Sequence, residues 1–502
     1  MNAHNTADIR QYLTSAYGDD DITTLCADHF HEVYDDFTVG MSKRQKIQLL
    51  LDYCQRCDLV SSLHTALQRD RPDQYQKYTQ QVNAPVQESS QRARRHFVNA
   101  KEYSVKGNYE RAIAHYTQAI MLDPEEATYY RERGGNAALT KDLNQALADL
   151  NRAMELNPRS ALTYLYRAAV FVEMQEYDRA IADATQAIAI DPRLALAWAI
   201  RGDAYGYQAK IELSIADTTR AIKLDTKCAF AYERRGMTYL QRGDYDQAIV
   251  DETRAIEFDP KDAIAFSIRA IAYGSKGNQD ELVSDARRAV ELDPHLSWAY
   301  CARGLANYAM GDYVEAITDA AQALKLDDKS ARAYAIRGAA HRMKGNYGEA
   351  ILDETRAITL DPRYCFAYCE RGIAYCRIGN FDQAITDLTT AAKLWPDYGF
   401  TYSSRAEVYR LKGDYVLAIT DSTLAIALDS NDAYAYVIRG ATYGTLGDYR
   451  KAIADFTRAI ELDQAYINAY LWRAAVHRTL WRFHKAWADE QKAAQLKSEG
   501  NK

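Results

Sequence analysis

From Ala93 to Gly500 the chain repeats one pattern every 34 residues, twelve times over, with no insertion or deletion. The copies begin at Ala93, Ala127, Ala161, Ala195, Ala229, Ala263, Ser297, Ala331, Cys365, Gly399, Ala433 and Ile467. A fixed period of this length implies a stacked array in which each unit covers its neighbour, in place of one large core.

The unit Ala229 to Asp262, AFAYERRGMTYLQRGDYDQAIVDETRAIEFDPKD, shows why the pattern folds as two helices. Position 8 is Gly or Ala and position 27 is Ala in all twelve copies, so helix backbones can approach closely. Position 20 is Ala in ten copies, with Ser214 and Leu282 as departures. Position 15 is Gly in eight copies, where a helix end requires φ > 0. Seven of the nine prolines occupy position 32, where the second helix must stop. Lys141, Gln175, Ala209 and Trp481 replace the glycine, and Thr226, Asp328, Ser430 and Gln464 replace the proline.

These residues, with an aromatic at position 4 (Tyr232, Trp198, Tyr300) and Tyr at position 11 (Tyr239, Tyr375, Tyr443), resemble the tetratricopeptide repeat. The resemblance implies an all-α protein: a small N-terminal helical bundle followed by a right-handed α-solenoid. It also implies a concave face lined by the first helices, on which a protein or peptide partner is held.

Charged residues make up 26% and hydrophobic residues 48% of the 502, ordinary values for a soluble chain. The start, MNAHNTADIRQYL, has no basic segment followed by an apolar one, and no apolar run approaches the ~18 residues of a membrane span. A cytoplasmic protein with free thiols is expected. A net charge of −7 argues against a nucleic-acid binder, which leaves a basic footprint.

Residues 1–79 do not share the period and read as a separate domain, joined by a polar linker at 80–92 to the repeats at 93–500. Periodicity predicts helices near 7–17, 22–37 and 42–57, then shorter pieces to 78, with Ser42 as a cap. Ile9, Leu13, Leu25, Phe30, Val33, Ile47, Leu50, Leu51 and Leu63 supply the expected core. The segments DDDITTLC, FHEVYDDF, GMSKRQKIQLLLDYC and RPDQY resemble an effector-associated, death-like domain of bacterial conflict systems. That resemblance implies recruitment of an effector carrying a matching domain. Opposite charges on the predicted helices, Asp19, Asp20, Asp21, Asp35 and Asp36 against Lys43, Arg44 and Lys46, form candidate homotypic patches that would steer such contacts.

Position 7 is Arg and position 23 is Asp in repeats 2 to 12, while repeat 1 lacks both, having Asn99 and His115. Their joint loss predicts that the two face each other, as a ladder of ion pairs and not a polyanion track. Groove positions taken from the repeat family give an apolar trough in repeats 3 to 7, with Leu165, Leu196, Phe230, Met237, Ile268, Trp298 and Tyr308. In repeats 8 to 12 they give Arg332, Arg342, Arg377, Arg410 and Arg478, partly offset by Glu370 and Glu407, which suits an acidic partner segment.

No phosphate loop, HExxH or GxSxG pattern is present, so no catalytic residue, metal or cofactor is assigned. Cys26-x2-His29 and Cys54-x2-Cys57 lie inside predicted helices, where such residues more often pack. Trp472, Trp481, Phe483 and Trp487 crowd the last repeat, and completing its core is preferred over a self-association patch. Together these features describe a non-enzymatic scaffold, with a chaperone-like adaptor or a regulatory subunit as the alternatives.

Overall fold

The computed structural model describes residues 6–499 and, among them, shows twenty-nine α-helices and no strand. The chain divides after Ile200 into two compact units.

The first unit opens with α1 (Thr6–Ala16), α2 (Asp19–His29), α3 (His31–Asp35), α4 (Lys43–Arg56), α5 (Val60–Asp70) and α6 (Pro72–Val105). The three aspartates of the GDDD turn fall in the first turn of α2, where the helix dipole favours them. The Asp21 carboxylate accepts the Gly18 N–H at 2.7 Å. The expected cap at Ser42 is a capping box, its N–H donating to Gln45 Oε1 at 2.9 Å. The single helix expected over 22–37 breaks at Phe30 (φ −140°, ψ 60°), which leaves helical geometry while its ring stays buried.

All nine apolar residues expected in this core are there. Tyr12, Tyr75 and Tyr78 complete it, with Tyr12 stacked on Tyr78 at 4.5 Å between ring centroids. Tyr75 and Tyr78 belong to α6, whose C-terminal half is the first helix of repeat 1. The expected linker at 80–92 therefore lies inside a helix.

In repeats 2 to 12 the first helix starts at position 1 and the second at position 17. At three of the glycines at position 8, a large side chain at position 24 fills the space that a Cβ would need. A Cβ on Gly134, Gly372 or Gly440 would lie 3.0, 2.8 or 2.9 Å from Leu150, Leu388 or Phe456. Where position 24 is Ala184 or Ala286, position 8 is Ala168 or Ala270. Close packing explains the pairing in these repeats, because interiors tolerate little overlap. Repeats 1, 7 and 12 depart from it, with Ala100 beside Tyr116, Gly304 beside Ala320 and Ala474 beside Glu490 at positions 8 and 24.

Position 15 is left-handed throughout. The eight glycines have φ of 74° to 95°, and Lys141, Gln175, Ala209 and Trp481 take φ of 56° to 64° despite their side chains. Substituting glycine at Lys141 and Gln175 is expected to raise stability by about 1 kcal/mol each, since the αL cost for a side chain exceeds the entropic cost of glycine. Denaturant unfolding of each variant reads this directly, and no gain would refute the strain.

The turns between repeats keep their form where proline is missing. Position 31 is the reason: its Asp side chain accepts the N–H two residues on, as at Asp225 to Lys227 (3.0 Å), Asp327 to Lys329 (3.0 Å), Asp429 to Asn431 (2.9 Å) and Asp463 to Ala465 (2.8 Å). This Asx turn stops the second helix without help from the ring of proline.

Candidate functional site

Each of the eleven Arg and Asp pairs is formed, and each is bidentate. In repeat 5, Arg235 donates from Nε to Asp251 Oδ2 at 2.7 Å and from Nη2 to Oδ1 at 2.8 Å. The third donor reaches the preceding repeat: Arg235 Nη1 to Thr219 Oγ1 at 3.0 Å, and likewise Arg269 to Thr253, Arg405 to Thr389 and Arg473 to Thr457. The guanidinium thus ties two helices of one repeat and also ties that repeat to its neighbour. Where the preceding repeat offers Arg287 or Ala321 in place of that hydroxyl, Arg303 and Arg337 are 36% and 27% exposed, against 15% to 18% for the others. In repeat 1 an aromatic contact replaces the pair, with His115 stacked on Tyr103 at 5.3 Å. These arginines are structural, so a polyanion track finds no free cations here.

Several residues expected in the trough are packed away. In the first unit Leu165 is buried and Leu196 exposed. In the second unit Met237 and Ile268 are buried in a core cluster, which corrects their assignment to the groove. Phe230 is half-buried under Arg234 (4.9 Å), and Trp298 and Tyr308 are half-buried. Four repeats apart, Tyr245 of repeat 5 meets Trp395 of repeat 9, ring centroids 6.3 Å apart, and Trp395 stacks on Tyr398 at 4.6 Å. The chain's own aromatic side chains therefore fill a contact between repeats 5 and 9.

Most of the expected basic groove is neutralised internally. Arg342 donates to Glu370 at 2.5 Å and to the Tyr308 hydroxyl at 3.3 Å, with Glu370 buried. Arg410 holds Glu407 through two bonds of 2.9 and 3.1 Å, and Arg478 pairs with Glu490 at 2.7 Å. Arg332 lies over the rings of Trp298 (5.2 Å) and Tyr364 (5.7 Å). Arg377 alone among these five has neither a carboxylate partner nor a ring beneath it among the described residues. It lines a cavity of about 230 Å³ formed by the first helices of repeats 8 to 11.

The charged residues of the N-terminal bundle are likewise divided. Lys46 is buried and pairs with Asp19 at 2.8 Å, and Asp21 pairs with Arg71 at 2.7 Å. Lys43 donates to the Thr14 carbonyl at 2.6 Å. These ion pairs hold the bundle together, and burial takes Lys46 out of an outward patch, while the Asp19 side chain stays 49% exposed. Asp20, Asp35, Asp36 and Arg44 remain exposed. Cys26 and Cys54 are core residues whose thiols burial pushes up to about 12. Cys365, Cys369 and Cys376 are buried as well.

The C-terminal aromatics differ most from expectation. Trp472, Trp481, Phe483 and Trp487 are exposed, Trp481 at 80%, so they do not complete the final core.

The sequence reading missed two buried carboxylates at position 24, Glu252 and Glu354, whose oxygens have no hydrogen-bond partner among the described residues. Both sit in the identical string DETRAI, facing Gly236 and Gly338. An acidic residue at a position elsewhere held by Ala184, Leu150 or Phe456 was the available signal.

Residues 9–72 match the family model described as Effector-associated domain 7. Models described as tetratricopeptide repeat match residues 97–161, 201–263, 301–364, 369–434 and 433–466. No curated protein sequence matches the chain. Among solved structures, the Cut9–Hcn1 hetero-tetramer of the APC/C is similar at 14% identity and a TM-score of 0.53, covering 83% of this chain and 96% of that one. Yeast Tom70 is similar at 19% identity and a TM-score of 0.35, covering 80% and 92%. At 14% identity the likeness to the Cut9–Hcn1 structure concerns the fold alone. No helix among the described residues is long and apolar enough to cross a membrane. With one strict helical register over the repeats and both families matched in sequence, the chain belongs to the tetratricopeptide-repeat family of protein-interaction scaffolds and carries an effector-associated domain at its N-terminus.

Proposed function

We propose that this chain is a non-enzymatic recruitment scaffold. Residues 1–79 engage an effector protein through like-with-like domain contacts, residues 80–92 are a helical spacer, and residues 93–500 hold a protein partner. The setting is bacterial defence or signalling in the cytoplasm. The observation that carries the reading is the joining of an effector-associated domain to a twelve-repeat interaction array in one chain. Asp20, Asp35 and Asp36, left exposed while their neighbours pair internally, are the groups that would steer a partner domain with a basic face.

The test uses the full chain as bait in a lysate of its source. Wild type is expected to capture a protein bearing an effector-associated domain, and the triple variant Asp20→Lys, Asp35→Lys, Asp36→Lys is expected to lose about tenfold of that capture with unchanged melting. Captured proteins lacking such a domain, or equal capture by the variant, would remove the recruitment reading.

A further inference from the structure

We infer that the cavity at repeats 8 to 11 is an anchor pocket for an internal segment of a partner polypeptide, one that presents a bulky apolar side chain beside a side-chain carboxylate. The inference rests on the reading that the array holds a protein partner, and it names the chemistry that partner must carry.

Four observations lead there. Tyr245, Trp395 and Tyr398 pack on one another where repeats 5 and 9 meet, whereas the first helices of repeats 8 to 11 leave an opening of about 230 Å³. That is smaller than the roughly 300–1,000 Å³ of sites for drug-sized molecules, and it suits one anchoring side chain of a longer chain.

The walls are largely apolar. Ile373, Phe400, Val408 and the ring of Tyr434 line the opening, and Phe400 is exposed. An apolar lining that stays open to solvent favours an apolar guest.

Charge selects what lies beside that guest. Arg342 is neutralised by Glu370, and the carboxylate of Glu407 is held by Arg410 through two bonds. Arg377 is left as the uncompensated charge of the lining, so the pocket carries one net positive charge.

The fourth observation is a buried donor. Ser404 is 4% exposed, lines the same cavity, and its Oγ has no hydrogen-bond partner among the described residues. A buried hydroxyl without a partner is rare in folded proteins and points to a missing polar group. A carboxylate oxygen meets both demands, accepting from the Ser404 hydroxyl and pairing with the Arg377 guanidinium.

The test presents an array of random peptides of roughly ten residues, N-acetylated and C-amidated so that only side-chain carboxylates are present, to the full chain. Bound peptides are expected to be enriched about tenfold in a bulky apolar residue adjacent to Asp or Glu. Arg377→Glu is expected to weaken their binding about tenfold and Ser404→Ala about threefold, with melting unchanged because neither side chain holds an internal bond among the described residues. Selected peptides without an acidic residue, or binding indifferent to Arg377→Glu, would overturn the pocket assignment while leaving the array as a partner-binding surface. Failure of every peptide to bind above an albumin control would overturn both.

Discussion

Asp251→Ala is expected to destabilise repeat 5 by about 3 kcal/mol, because it strands a guanidinium held between two helices and a neighbouring repeat. Arg235 is 17% exposed and bonded to Asp251 through two donors. It also lies near the rings of Tyr232 and Tyr239, at 5.8 and 5.9 Å. With the carboxylate removed, Thr219 remains as a neutral partner that cannot balance the charge. The same change at Asp319 is expected to cost only about 1 kcal/mol, since its partner Arg303 is 36% exposed and water can take over. Hydrogen exchange resolved by repeat, together with denaturant unfolding, checks both values. Equal losses at the two sites would sink the claim that the tie to the preceding repeat matters. The double variant Arg235→Met, Asp251→Leu should recover most of the loss, as exchanging a buried pair for apolar side chains is often neutral.

The second large effect depends on pH. Burial, reinforced by nearby carboxylates, pushes the carboxyls of Glu252 and Glu354 well above their ordinary range, led by desolvation. In the unfolded chain both ionise near 4.5. A raised folded pKa means that their stabilising share is complete below that value and is lost as pH rises toward the folded pKa. The slope is about 1.4 kcal/mol per pH unit for each group. Glu233, raised to about 7 by burial, adds to the slope over the same range up to its own pKa. The double variant Glu252→Gln, Glu354→Gln keeps the shape and removes two of the three ionisations. It should therefore match wild type near pH 4.5 and exceed it progressively toward neutral pH. Melting temperatures followed across that range provide the measurement, and parallel profiles for the two proteins would disprove it.

These effects separate what repetition announces from what it hides. The ladder was readable because Arg at position 7 and Asp at position 23 vanish together in repeat 1, at Asn99 and His115. The N-terminal core was readable because Ile9, Leu13, Leu50 and Leu51 follow helical periodicity. The break at Phe30 was not, since burying one ring outweighed a local preference that ran on to Phe37. The trough residues Met237 and Ile268 were misplaced for a similar reason. A position that faces a groove in a generic repeat becomes core when a neighbouring helix covers it.

By itself the sequence determined the register: small residues at positions 8 and 27, a left-handed turn at 15 and an Asp at 31 are local requirements, and each recurs with the period. Only the tertiary structure decided which groups remain free to bind. Arg342 finds Glu370 in the next repeat, Tyr245 meets Trp395 four repeats on, and Arg377 meets no carboxylate among the described residues. Such pairings depend on how far one helix lies from another across the stack, a distance that no repeat encodes within its own 34 residues.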